Sequence, residues 1–282
     1  MSARQFLTNV TIILGVMAVA ALLETAVPMF AGPAWKRGRR AANLGLTAVS
    51  FLFNWLLTSA VAIMALALSA QPASLMTRLG LPLSAQIAIG IVILDFSASY
   101  VAHRAMHMSP FLWRFHRIHH SDPFVDVTTT YRTHPVETLW RFLFVTGPVW
   151  MLGIPAQAVV IQRLLQATNG VLEHSNVRLW RPLDRILSLV FVTPNVHKIH
   201  HSRALAETNS NYGNVLTVYD RLLGTFTPSE RALSVVYGLD DADPARVASF
   251  PGLLAMPLYE PARQERTTLS DTKIRIRSGA AG

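Results

Sequence analysis

The sequence predicts an all-α protein, a multi-span membrane helical bundle with a cytoplasmic helical cap that carries a set of histidines. Three observations lead there. Hydrophobic residues make up 51% of the 282 residues and charged ones only 15%, against about 25% charged in an ordinary soluble domain. Three long runs are nearly free of charge. All ten histidines fall between residues 103 and 201, most of them at helical spacing. Mean hydropathy is +0.33. A net charge of +9 in so apolar a chain suits membrane flanks and lipid headgroups, and no nucleic-acid partner is expected. The absence of cysteine excludes disulfide scaffolds, thiolate zinc sites, chain-held iron–sulfur clusters and cysteine nucleophiles.

The elements follow in chain order. Residues 5–23 lie uncharged between Arg4 and Glu24, residues 41–77 carry no charge and hold a span near 43–69, and residues 79–102 carry only Asp95. Each run supplies the roughly 20 apolar helical residues that a bilayer core requires. The first run has an alternative, a signal peptide ending near residues 31–34. Charge argues against it, since a lone Arg4 precedes the run whereas Lys36, Arg37, Arg39 and Arg40 follow. That asymmetry puts the 36–40 loop in the cytoplasm and the N-terminus outside, so the third span emerges on the cytoplasmic side. Residues 142–172 are interrupted by Arg163 and contain Gly147-Pro148 and Gly153-Ile154-Pro155. Two such breaks predict a hairpin of short or tilted helices. Residues 185–193 read as a short helix lying in the interface. From Ser229 the pattern loses its periodicity, and the end, with Arg263, Arg266, Lys273, Arg275 and Arg277, reads as a loose basic cytoplasmic tail.

The histidines carry the chemistry. His103 and His107 stand at i, i+4; His116, His119 and His120 at i, i+3, i+4; and His197, His200 and His201 repeat that pattern. The segments 116–121 and 197–202 differ only in Arg117 against Lys198. On a helix these spacings set imidazoles about 5–6 Å apart at Cβ, as chelation needs. Eight free imidazoles so crowded would only repel on protonation, whereas His134 and His174 stand alone. An all-imidazole site suits iron, zinc, copper or nickel. Eight to ten histidines exceed one ion and suit two, and dinuclear iron with vacancies for dioxygen is the most economical assignment. Neutral ligands require carboxylates to orient their outer N–H groups. Asp95, in line with Ser99, His103 and His107 and inside an apolar run, is the candidate catalytic acid residue. Glu137, Glu173, Asp122, Asp126 and Asp220 are further candidates. Because all three clusters must reach the same metals, an even number of crossings separates Ser121 from His197, which again selects the hairpin.

The segments Asp95-Phe with Tyr100-Val-Ala-His-Arg-Ala-Met-His107, Leu112-Trp-Arg-Phe-His-Arg-Ile-His-His-Ser121 and Thr193-Pro-Asn-Val-His-Lys-Ile-His-His-Ser202 resemble the fatty acid hydroxylase/sterol desaturase superfamily of membrane di-iron enzymes. The later Asn211-Tyr-Gly-Asn214 and Tyr219–Phe226 segment resembles the close of that family's domain, so the likeness covers residues 90–228. It implies residues 1–82 as membrane spans, 83–228 as the catalytic domain and 229–282 as a cytoplasmic tail. It also implies an oxidoreductase in which two iron ions, O2 and two electrons hydroxylate or desaturate a lipid C–H bond. The implied ligands are His103, His107, His116, His119, His120, His197, His200 and His201, with His174 as the family's isolated ligand. His134 fills in for a histidine that some relatives place where this chain has Arg178. Three residues between His103 and His107, where several eukaryotic relatives have four, favour a bacterial sterol-desaturase-like branch. The expected protein is thus integral to a bacterial inner membrane, with its active site on the cytoplasmic side. No cytochrome or ferredoxin segment occurs in the sequence, so a separate electron donor is expected: a ferredoxin, or a b-type cytochrome with its reductase. Two alternatives remain at this stage, a histidine-site zinc hydrolase and a metal transporter or sensor. Transporters hold their polar ligands near the bilayer midplane, whereas these histidines cluster beyond the span ends.

Overall fold

A computed structural model describes residues 3–30, 39–69 and 74–259. Residues 31–34, Lys36, Arg37 and the basic positions from Arg263 to Arg277 lie outside them. Five helical columns form the bundle: α1 (Ala3–Ala26), α2 (Arg39–Ser69), the column α4–α5, α7 (Pro135–Leu152) and α8 (Ala156–His174). A one-turn α3 (Leu75–Arg78) precedes α4 (Leu83–Leu94), which passes through a π-helical segment, Asp95–Val101, into α5 (Ala102–Met108). Next comes α6 (Pro110–His120). Short helices complete the molecule: α9 (Arg181–Leu187), α10 (Pro194–His200), α11 (Leu205–Thr208), α12 (Val218–Leu222), α13 (Pro244–Val247) and α14 (Phe250–Ala255). Among the described residues there is no strand, only isolated antiparallel bridges of Pro28 with Val177 and Phe191 with Leu216.

Among the described residues, three helices are long and apolar enough to cross a membrane: Arg4–Ala26, Arg39–Leu68 and Leu83–Met108. Their polarity runs opposite to that of a water-soluble bundle. Leu7, Leu14, Leu22, Leu52, Leu56, Ile63 and Leu66 face outward, while Asn43, Thr47, Ser50, Thr58, Asp95 and Ser99 are buried inside. An apolar exterior around a polar interior is what a lipid solvent selects.

Buried polar contacts gather the histidine end of the bundle. The Glu24 carboxylate, at the close of α1, accepts from Val127 N and Asn176 N, both at 2.7 Å. Arg39, at the start of α2, pairs with Asp122 at 2.9 Å and Asp126 at 2.5 Å. Arg39 is therefore a buried anchor and not a free flanking charge, and Asp122 and Asp126 serve it instead of the histidines.

The hairpin forms, with one correction. α7 continues through Gly147-Pro148 and breaks only at Gly153, whose φ of 71° is left-handed. Proline at 148 removes the N–H that would bond Phe144 O. Ser97 Oγ donates to that carbonyl instead, at 2.6 Å, so the helix survives. At Gly153 a Cβ would stand 2.3 Å from Ser74 Cβ, which reserves the turn for glycine.

One further expectation shifts. The short helix expected within 185–193 is α9, which starts four residues earlier, with Ile186, Leu189, Val190 and Phe191 exposed in and after it. Residues 229–259 pack on the bundle, and the basic stretch expected to be loose lies outside the described residues. Val247, Leu253 and Met256 pack on Ala42, Leu46 and Ile118, and Arg132 donates to Val247 O at 3.0 Å.

Candidate metal centre

Nine of the ten histidines converge. His103, His107, His116, His120 and His200 form one group, and His119, His174, His197 and His201 a second; within each, one candidate ligand atom per residue lies within 4.8 Å of the others. The partition follows from helix geometry. Adjacent residues on a helix point about 100° apart, whereas i, i+4 residues nearly eclipse. So α6 sends His116 and His120 to the first group and His119 to the second. α10 sends His197, with His201 at its end, to the second group and His200 to the first.

Four of the outer ring nitrogens are held by backbone carbonyls or a carboxylate, whereas His119 Nδ1 and His197 Nδ1 are buried with no hydrogen-bond partner among the described residues. His103 Nδ1 lies 2.8 Å from Tyr212 O, His200 Nδ1 2.7 Å from Ser210 O, His174 Nδ1 2.6 Å from Gly170 O and His116 Nδ1 3.0 Å from Glu137 Oε2. Carbonyls and carboxylates only accept, so in each case Nδ1 bears the proton and donates. A neutral imidazole then presents a bare lone pair at Nε2. The Nε2 atoms face one another: His103 to His116 at 3.0 Å, His174 to His119 at 2.9 Å, His197 to His174 at 3.0 Å and His201 to His197 at 3.1 Å. His107 Nε2 and His200 Nε2 are buried with no partner among the described residues. Nitrogens bound at about 2.1 Å to one ion stand about 3 Å apart when at right angles. The donor set thus fits a cation in each group, and without one the lone pairs only repel.

Burial enforces the neutral form. It pushes His174 down to about 3 and His200 to about 4, and His116, His119, His120, His197 and His201 well below the ordinary imidazole value. Protons therefore do not compete for these nitrogens near neutrality.

The remaining expected positions sort as follows. Glu137 joins His116 to Arg141, whose Nε donates to Glu137 Oε1 at 3.1 Å. Glu173 receives Asn214 Nδ2 at 2.6 Å and stands 3.7 Å from His174 Nδ1; burial raises it well above the carboxylate range. Asp220 accepts from Tyr212 N and Gly213 N, both at 2.8 Å, and so shapes the loop that holds His103. His134 stands outside both groups. It caps α7, its Nδ1 accepting from Val136 N at 3.1 Å, and packs on Phe115. Asp95 is likewise apart: its Oδ1 accepts from Ser99 Oγ at 2.9 Å, and Ser99 Oγ accepts from Gln166 Nε2 at 3.2 Å.

The segment 211–214 gains a physical account. Asn211 adopts a left-handed φ of 53° and donates to Val196 O and Thr227 O at 3.2 and 2.8 Å. Tyr212 supplies the carbonyl for His103, and a Cβ at Gly213 would meet Leu216 O at 2.4 Å. Residues holding Nδ1 through their backbone, such as Gly170, Ser210 and Tyr212, carry no side-chain signal and were not legible beforehand. Lys198, the variant position of the near-repeat, is buried and donates to His174 O at 2.5 Å, whereas its counterpart Arg117 pairs with Asp241.

A cavity of about 180 Å3 adjoins both groups. His103, His119, His174 and His197 form its inner wall, and it continues between α1, α2, α7 and α8 past Asn54 and Arg163.

Residues 87–225 match the fatty acid hydroxylase family model. Over these residues the chain belongs to the fatty acid hydroxylase family. It is 38% identical over 186 residues to the ornithine lipid hydroxylase of Rhizobium tropici, covering 65% of this chain and 54% of that one. It is 30% identical over 141 residues to the alkylglycerol monooxygenase of Danio rerio, covering 50% and 30%. To the alkylglycerol monooxygenase of Caenorhabditis elegans it is 28% identical over 142 residues, covering 50% and 27%. The chain thus spans about a quarter to a half of the length of these relatives. No solved structure matches it.

Proposed function

We propose that this fatty acid hydroxylase domain is a membrane-bound non-haem di-iron oxygenase that uses O2 and two electrons to oxidise a lipid C–H bond. The observation that carries the reading is the convergence of nine neutral histidines into two groups beside a cavity enclosed by apolar helices. Two irons, when bound, supply the O2 activation needed to remove hydrogen from an unactivated carbon. The chain's own residues supply the rest. Nε2 atoms of the first and second groups hold the ions, and Tyr212 O, Ser210 O, Gly170 O and Glu137 fix the rings. The cavity keeps water from the reacting carbon and admits a chain from between the helices.

The relatives' names, a lipid hydroxylase and monooxygenases, support hydroxylation over desaturation. Asp95 is assigned a positioning role, holding Ser99 and through it Gln166 in the cavity wall, and His134 is left to cap α7. The basic residues near the histidine end support a cytoplasmic site in a bacterial inner membrane, served by a separate electron-donor protein.

The test is metal analysis and Mössbauer spectroscopy of the purified protein, with O2 uptake and product mass on supplied lipid. Two irons per chain and a product heavier by one oxygen are expected. His119→Ala, in the second group, and His200→Ala, in the first, each abolish product and lower the bound iron. Full iron and activity in both variants overturns the site. Zinc at full activity, with hydrolytic products and no O2 uptake, overturns the oxygenase reading.

A further inference from the structure

Arg163 lies midway along α8 and lines the cavity. Its Nη1 donates to Gln166 Oε1 and its Nη2 to Asn54 Oδ1 at 2.5 Å, and its guanidinium sits 4.7 Å from the centre of the Phe142 ring. All of these partners are neutral. Among the described residues no carboxylate pairs with it, whereas Arg39 has Asp122 and Asp126, and Arg141 has Glu137. Arg132, buried completely and also among neutral groups, engages four acceptors: Ile118 O, Asn43 Oδ1, Ser121 Oγ and Val247 O. Arg163 engages two, and a guanidinium carries five donors. A cation kept among apolar helices with donors unspent is costly unless an anion arrives.

Resting on the lipid-oxidising reading above, we propose that Arg163 receives an oxyanion of the substrate, a carboxylate or a phosphate, inside the cavity. The geometry makes it a positioning residue. Eleven residues separate it from His174, roughly 16 Å along the helix axis, so an amphiphile held at Arg163 presents its chain toward the metal groups. Val10, Ile13 and Leu164 supply apolar wall to the same cavity. Asn54 and Gln166 hold the guanidinium in place.

The test is binding without turnover. Metal-loaded protein in a neutral maltoside detergent is titrated at pH 8 with cis-parinaric acid and with its methyl ester, read by probe fluorescence. The acid binds wild type at least tenfold more tightly than the ester. Arg163→Gln abolishes that preference, leaving ester binding and metal content as in wild type, and Arg163→Lys restores part of it. Displacement of the acid by lysophosphatidic acid, dependent on Arg163, assigns the oxyanion to phosphate; displacement by a free fatty acid alone assigns it to carboxylate. Equal affinity for acid and ester in wild type, or an undiminished preference in Arg163→Gln, overturns the proposal. Should Arg163→Gln fail to fold, the wild-type comparison and Arg163→Lys still decide. Because binding is read apart from chemistry, a failure to find oxygenated product counts against the proposed function and leaves this site intact.

Discussion

A histidine that holds a metal needs two neighbours, an ion at one nitrogen and an acceptor at the other. In this protein the second neighbour is backbone for three of the rings: Tyr212, Ser210 and Gly170 offer carbonyls to His103, His200 and His174. Side chains serve three others: Asn209 meets His107 and Thr208 meets His120, and Glu137 serves His116 and Arg141 together. Exchanging Glu137 for Gln removes the charge that raises the basicity of His116, and affinity for the ion of the first group falls about 10–100-fold. A competitive chelator titration measures the loss. At this scale the sequence announced the rings but not their supports. Spacing of i, i+3 and i, i+4 is visible in a string of letters, whereas a carbonyl belongs to every residue alike. His134 shows the converse, since a histidine beside Pro135 also makes a helix cap, and spacing alone does not separate the two uses.

Elements impose the next constraint. The requirement that three histidine clusters meet was enough to predict the α7–α8 hairpin, because an odd number of crossings would part them. Less legible was the single place where it turns. Gly147-Pro148 reads as a break, yet the helix passes through it because a residue 47 positions before Phe144, Ser97, caps its orphaned carbonyl. Ser97→Ala therefore destabilises the protein by about 1 kcal/mol. In a Pro148→Ala background, where an N–H is restored to that carbonyl, the same change costs far less. Thermal unfolding of the two single variants and the double variant reads out the difference as non-additivity. The 229–259 segment escaped the sequence reading for a related reason. Its apolar residues Val247, Leu253 and Met256 are sparse, and only the presence of α2 and α6 beneath them turns them into a packed layer.

For the whole molecule the decisive property is inverted polarity, with leucines outside and asparagine, serine, aspartate and histidine within. That inversion was legible in the composition; the buried pairing of Arg39 with Asp122 and Asp126 was not, since charge near a span end reads first as a flank. Inversion also sets the response to acid. The histidine pKa values of the folded state lie below the ordinary 6.5, about 4 for His200 and about 3 for His174. The unfolded chain thus takes up protons first as pH falls. Stability is complete above about pH 6.5 and declines toward pH 4, by roughly 3 kcal/mol for His200 alone. Unfolding midpoints of the metal-free protein across pH 8 to 4 measure the slope, and a flat profile contradicts it. A last consequence attaches to the neighbours His119–His120 and His200–His201, each pair split between the two groups. α6 and α10 each behave as a shaft with a tooth in two wheels: fixing the rotation of the helix at one ion fixes the rings that await the other. The first ion bears the ordering entropy for both, so on the two-ion reading proposed above the metal enters as a pair. Titration of the metal-free protein gives a sigmoidal uptake curve, and half-loading yields a mixture of full and empty chains in place of a uniform single-ion species.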